Sequence, residues 1–170
     1  MRKSNKKGFT LVELVVVIAI IGVLAAILVP TMMNYVKKSR LKTANSNAKL
    51  VFTTVNNQSA DLVAEGAAAK AVTFGPDKIV KVDKPELDPE ASGFDYEGAL
   101  KWAVYDALKD NGNGMGYAYF VVDANGDVTI AQWQTTKTTA KQITGQYPNA
   151  AKDVEKAEGL TFGAKASSGT

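Results

Sequence analysis

Neither cysteine nor histidine occurs anywhere in the 170 residues. The first absence removes disulfides as a means of securing a domain outside a reducing compartment, so stability has to come from packing. The second removes the commonest general base and metal ligand. No nucleophile, base and orienting group can be assembled from what remains, and no phosphate-cradling glycine loop is present. The chain therefore reads as a non-enzyme that calls for no cofactor and no resident metal. A cationic surplus is missing too, once position is considered. Of 20 basic and 17 acidic residues, four basic ones (Arg2, Lys3, Lys6 and Lys7) lie at the very start. Without them the charges nearly balance, and nothing argues for nucleic acid.

Lysine and arginine are also absent between Gly8 and Lys37. An apolar run from Phe9 to Pro30 fills most of that interval. These 22 residues rise about 33 Å as a helix, close to the roughly 30 Å hydrocarbon core of a bilayer. The basic cluster ahead of the run is expected to stay on the cytoplasmic side, which sends the remainder outward. An ordinary secretory signal has an apolar core of about 7 to 15 residues and a small-x-small cleavage site. Here Leu14 to Val29 is unbroken and no Ala-x-Ala follows.

Glu13 is the one charge inside this run. An ionised carboxylate in hydrocarbon costs several kcal/mol, roughly 2.5 to 3.5 on insertion scales for the related Asp, so it needs a partner or a function. A cut after Gly8 would create an α-amino group on Phe9, about one helical turn before Glu13. The amine of the same helix or of a neighbouring copy is a suitable counter-ion, and the second pairing would set an axial stagger between subunits.

The pattern Lys7-Gly8, Phe9-Thr10-Leu11-Val12-Glu13-Leu14, a long apolar run, Gly22 and Pro30 resembles the type IV pilin and pseudopilin family. The resemblance implies cleavage between Gly8 and Phe9 by a prepilin peptidase and N-methylation of Phe9. It also implies that Glu13 guides docking onto the Phe9 amine of an adjacent subunit, and that the helix unwinds between Gly22 and Pro30 in the filament. An inner platform protein, an assembly ATPase and further copies of the chain are the implied partners. The chain would wait in the cytoplasmic membrane and end in a pilus on the cell surface. The match covers about the first 35 residues and says little about the rest. Lack of cysteine adds an analogy with pilins of Gram-positive bacteria such as clostridia.

After Pro30, Leu41, Ala44, Ala48, Val51, Val55, Ser59 and Leu62 recur every three or four residues, with Asn45, Asn47, Lys49, Asn56 and Asn57 mostly on other faces. The long helix is expected to continue to about Glu65, where Gly66 offers a cap, and to lay its apolar stripe on a head. The β-branched cluster Val51-Phe52-Thr53-Thr54-Val55 opposes helix unless burial overrides propensity. Prolines make 66–92 a loop-rich connector with one short strand at Lys78-Ile79-Val80-Lys81-Val82. A second helix is expected over 93–110, opened by a capping-box spacing at Ser92 to Asp95. Over 116–134, Tyr117 to Val122 and Val128 to Trp133 flank Asp123-Ala124-Asn125-Gly126-Asp127, a hairpin whose Asn-Gly would supply the positive φ angles. A third strand is placed between Thr138 and Gly145, and Ala164 to Thr170 is a small, polar tail.

The organisation is thus a leader (1–8), an apolar assembly helix (9–30), an amphipathic half-helix (31–65) and a head (66–170). The fold class is α+β: a long N-terminal helix packed on a small antiparallel sheet with an additional helix. Two further patterns in the head invite a site. Asp123, Asn125 and Asp127 alternate as calcium ligands do, but Gly126 comes too early for an EF-hand and the closing Glu is missing, which favours a plain turn. Tyr117, Tyr119, Phe120 and Trp133 are aromatics of the kind that line adhesive surfaces, but strand aromatics are more often core. The leading reading is a structural subunit that polymerises through its N-terminal helix into a filament for adhesion or twitching. The alternatives are a major pseudopilin of a type II secretion or competence system, and a membrane-anchored binding domain that never polymerises.

Overall fold

The computed structural model describes residues 8–73, 80–81, 95–110, 116–136 and 141–164. They fall into two compact units, 1–37 and 38–170, each described by itself. One helix, α1 (Leu11–Ala64), contributes to both. It ends as expected at Gly66, whose φ is 95°. There the Ala67 amide donates to the Leu62 carbonyl at 2.9 Å and the Gly66 amide to the Val63 carbonyl at 3.0 Å. This paired closure needs a left-handed residue, which glycine adopts without a Cβ penalty.

In the first unit every described residue of α1 except Ala25 is exposed. The helix passes through Pro30 without ending. Proline has no N–H to give the carbonyl four residues earlier. One residue on, Thr31 Oγ1 donates to the carbonyls of Leu28 at 2.8 Å and Ile27 at 3.2 Å. In the single chain the 22–30 stretch is therefore helical.

In the second unit the predicted stripe is the buried one: Leu41, Ala44, Ala48, Val51, Val55 and Ser59 are all buried, while Leu62 is half-buried. Val51 and Val55 are fully buried. Each such burial is worth about 1.5 to 3 kcal/mol, more than the few tenths by which valine disfavours a helix. Thr53 satisfies its hydroxyl on the Lys49 and Leu50 carbonyls. The asparagines depart from expectation. Asn47 is buried, and Asn45 faces the head, donating to the Ala151 carbonyl at 3.0 Å and accepting from the Gln146 amide at 3.3 Å. Asn56 accepts from the Val128 amide at 3.4 Å.

The sheet contains β1 (Val72–Thr73), β2 (Val80–Lys81), β3 (Tyr117–Val122), β4 (Val128–Gln134) and β5 (Gly145–Tyr147). All pairings are antiparallel, in the order β1-β3-β4-β5, with β2 pairing the other end of β3. The hairpin lies where the sequence placed it. Its turn does not use two positive φ angles, since only Gly126 (φ 91°) has one. Instead, Asp123 Oδ1 accepts from the amides of Asn125 at 2.8 Å and Asp127 at 3.0 Å. Strand β1 lies inside the stretch read as connector, and of the Lys78 to Val82 strand only Val80 and Lys81 are described. The strand expected before Gly145 instead runs from Gly145 onward, with 137–140 outside the described residues.

Helix α2 (Tyr96–Leu108) begins at Asp95, whose carboxylate accepts from the Gly98 amide at 2.7 Å. That cap lies three residues after Ser92; residues 92–94 fall outside the described ones. Short helix α3 (Val154–Gly159), capped by Asp153, was not anticipated. Register divides the sheet into two faces. Ala118, Trp133 and Gly145 stand side by side across β3, β4 and β5, and Gly145 lies directly on the Ala44 backbone of α1. Leu100, Val104 and Leu108 of α2 join that core. Tyr119, Gln132 and Gln146 form the opposite ladder. It is covered by Phe162, 6.4 Å from Tyr119 between ring centres, and by the Gly163 amide, which donates to Gln132 Oε1 at 2.8 Å. Gln132 Nε2 donates to Gln146 Oε1 at 2.9 Å, so the buried amides pair with one another. Tyr119, Phe120 and Trp133 are core residues, and Tyr117 is half-buried.

Candidate functional site: the amino-terminal helix

Gly8, Phe9 and Thr10 precede α1 in non-helical, exposed backbone, with Phe9 87% exposed. The Gly8–Phe9 bond thus lies outside helical hydrogen bonding. A Cβ built on Gly8 or on Gly22 meets nothing within 4 Å, and neither has a positive φ. Contacts within the chain require glycine at neither position, although Gly22 costs its helix about 1 kcal/mol relative to alanine.

Glu13 does not wait for a neighbour to find a partner. Its Oε2 accepts from the Thr10 amide at 2.8 Å and from Thr10 Oγ1 at 2.6 Å, while the Glu13 amide donates to Thr10 Oγ1 at 3.3 Å. This is a reciprocal capping box, with Thr10 as the N-cap and Glu13 three positions on. It satisfies two backbone donors that the first turn leaves without carbonyl partners, and it places negative charge at the positive end of the helix dipole. In hydrocarbon each unsatisfied backbone group costs several kcal/mol, so the box matters more there than in water. Thr10 is the residue that reading for counter-ions misses. The Thr-x-x-Glu spacing ahead of an apolar run is the signal that finds it.

Helix α1 is long and apolar enough to cross a membrane, and its most apolar window is wholly exposed. Large apolar side chains from Leu11 to Val36 lie on every side of it, each 41% exposed or more. Gly22 and Pro30 sit within this stretch, eight residues apart. Among the described residues no group of three or more acidic residues is arranged to hold a metal, and the Asp123 carboxylate is engaged with its own turn.

The amino-terminal stretch is thus an exposed apolar rod opened by an acid-bearing cap and joined in sequence to a helix-on-sheet head. Residues 3–29 match the family model for the prokaryotic N-terminal methylation motif. Over 101 residues the chain is 29% identical to a type II secretion system core protein G of Pseudomonas aeruginosa, covering 59% of this chain and 67% of that protein. It is 33% identical over 74 residues to the type IV major pilin protein PilA of Myxococcus xanthus (44% and 34% covered), and 54% identical over 44 residues to fimbrial protein EcpC of Eikenella corrodens (26% and 29%). The aligned part spans about a third or less of the two fimbrial relatives. No solved structure is significantly similar to the chain. In its motif and in these relatives the chain is similar to the type IV pilins and pseudopilins. They lend no support to the Gram-positive analogy.

Proposed function

We propose that this chain is a structural subunit of a type IV pilus, held in the membrane by its amino-terminal helix and then polymerised through that helix into a surface filament. Residues 1–8 serve as the leader and 9–30 as the assembly helix. The leader is cut between Gly8 and Phe9 by a prepilin peptidase, and the Phe9 amine is methylated. Glu13 then exchanges its Thr10 bonds for, or shares them with, the Phe9 amine of a neighbouring subunit, which sets register. Gly22 and Pro30 are where the helix loosens as subunits pack; glycine at 22 meets no need within the chain, and Pro30 deprives the Ala26 carbonyl of its donor. A platform protein and an assembly ATPase act on the subunit.

The single observation that carries this reading is the apolar helix with no cover of its own and one acid at its start. Packing such helices together removes them from lipid and brings Glu13 near a neighbour's amine, a full counter-charge that the Thr10 bonds do not supply.

Glu13→Ala tests it. Membrane insertion and a mature amino terminus at a methylated Phe9 are expected to persist, while incorporation into sheared filaments falls more than about ten-fold, because a buried amine left unpaired costs about 3 to 5 kcal/mol. Normal filaments from Glu13→Ala would remove the register role, and a mature chain that keeps its first eight residues would overturn the whole reading. Electron microscopy of the sheared material separates long filaments from the short stubs of a secretion pseudopilus.

A further inference from the structure

A cationic patch is left unused by the filament reading. Lys37, Lys38, Arg40 and Lys42 follow directly on the apolar run, and no Asp or Glu occurs anywhere between Glu13 and Asp61. Lys38, Arg40 and Lys42 are all exposed, and none has an ion-pair partner among the described residues. Between them Leu41 is only 5% exposed, inserted in the head core with Ala44, so the three cations stand on a helical turn that the head holds in place. The cluster does nothing for orientation. Its four cations equal the four of the leader, and positive-inside counting disfavours such a group on the exported flank.

Depth indicates the ligand. Counting from Leu14, about 20 residues cross the hydrocarbon and reach Met33. Tyr35 then falls where interfacial aromatics sit. Lys38 lies about 8 Å and Lys42 about 14 Å beyond Met33 along the helix, within reach of the headgroup layer for side chains that snorkel. A second copy standing alongside in near register presents the same cations. The nearest acid on its α1, Asp61, is about 29 Å further along the helix from Lys42.

Resting on the reading of α1 as a membrane anchor, we propose that Lys38, Arg40 and Lys42 bind anionic phospholipid headgroups of the outer leaflet, holding the subunit at a fixed depth before assembly. The bound lipid neutralises the cations, so that subunits approach one another without cationic repulsion, and it is released when the helix leaves the bilayer.

The test uses the full chain reconstituted in phosphatidylcholine vesicles carrying trace spin-labelled phosphatidylglycerol or phosphatidylcholine. The association ratio of the two probes is expected to favour phosphatidylglycerol by about five-fold or more, and to fall to about one in the K38Q/R40Q/K42Q variant and in roughly 1 M salt, where screening is nearly complete. All three positions are exposed, so an unchanged near-ultraviolet spectrum confirms that the variant's head is folded. A wild-type ratio near one, or a variant that keeps the preference, overturns the proposal. So does a variant that keeps its lipid preference but loses self-association, which assigns the cluster to a second copy. Loss of the chain from carbonate-washed vesicles sinks the anchor reading and the lipid site together, whereas a chain that is retained without preference sinks the lipid site alone.

Discussion

Three glycines in the head separate two reasons for needing glycine. A Cβ built on Gly145 overlaps the carbonyl of Ala44 and lies 2.7 Å from the Asn45 amide nitrogen. Those atoms are helix backbone on one side and strand backbone on the other, so no side-chain rotation relieves the overlap. In Gly145→Ala the strand has to withdraw from α1, and the Asn45 bonds to Gln146 and Ala151, already 3.3 and 3.0 Å, stretch beyond use. Overpacking costs about 1 to 3 kcal/mol and two lost hydrogen bonds about 1 kcal/mol each, so the total is about 3 to 5 kcal/mol. For a unit of about 130 residues, each kcal/mol lowers the melting midpoint by roughly 4 °C, which predicts a drop of about 12 to 20 °C. Gly66 has open space but a φ of 95°, so Gly66→Ala costs only backbone strain, about 1 to 2 kcal/mol. Gly159 has open space and no such angle, and Gly159→Ala is expected within about 0.5 kcal/mol of wild type. The assay is thermal melting of the full chain in detergent, followed by near-ultraviolet circular dichroism of the buried Trp133. Gly145→Ala melting within a few degrees of wild type, or above Gly66→Ala, refutes the close approach of helix and strand.

Thr10→Ala is expected to cost about 1 kcal/mol at the helix start and to raise amide exchange at Glu13 in the detergent-held chain, while Thr10→Ser preserves protection; equal exchange in all three would dismiss the capping box. Burial pushes the Tyr119 phenol above its ordinary pKa. The unfolded chain therefore loses this proton first as pH rises. Its contribution to stability is complete below about pH 10 and is lost as pH climbs through the raised folded value. Urea midpoints of wild type and Tyr119→Phe, compared at neutral pH and near pH 11, are expected to shift in favour of phenylalanine at the higher pH; a constant gap contradicts this.

The periodicity of α1 from Leu41 to Ser59, its glycine stop and the β3–β4 hairpin were all legible, because each is written in neighbouring residues: a spacing, a left-handed position, an Asn-Gly between two β-branched runs. Helix α3 and β1 were not. Val72–Thr73 is too short to carry a period, and it becomes a strand only because β3 offers an open edge. Likewise Asn45 and Asn47 look solvent-facing on a helical wheel, yet the head curls over them. At the amino terminus, the acid and the apolar run could be read from order alone. Thr10 could have been found by its spacing.

By itself the sequence determined a run of 22 residues without a cation and with a single acid, apolar and long enough to cross a bilayer. Only the tertiary structure decided what that acid touches before any neighbour arrives, and which glycine admits no methyl. Those facts depend on distances of a few ångströms between groups, some of them remote along the chain, and hydrophobic spacing does not encode such distances.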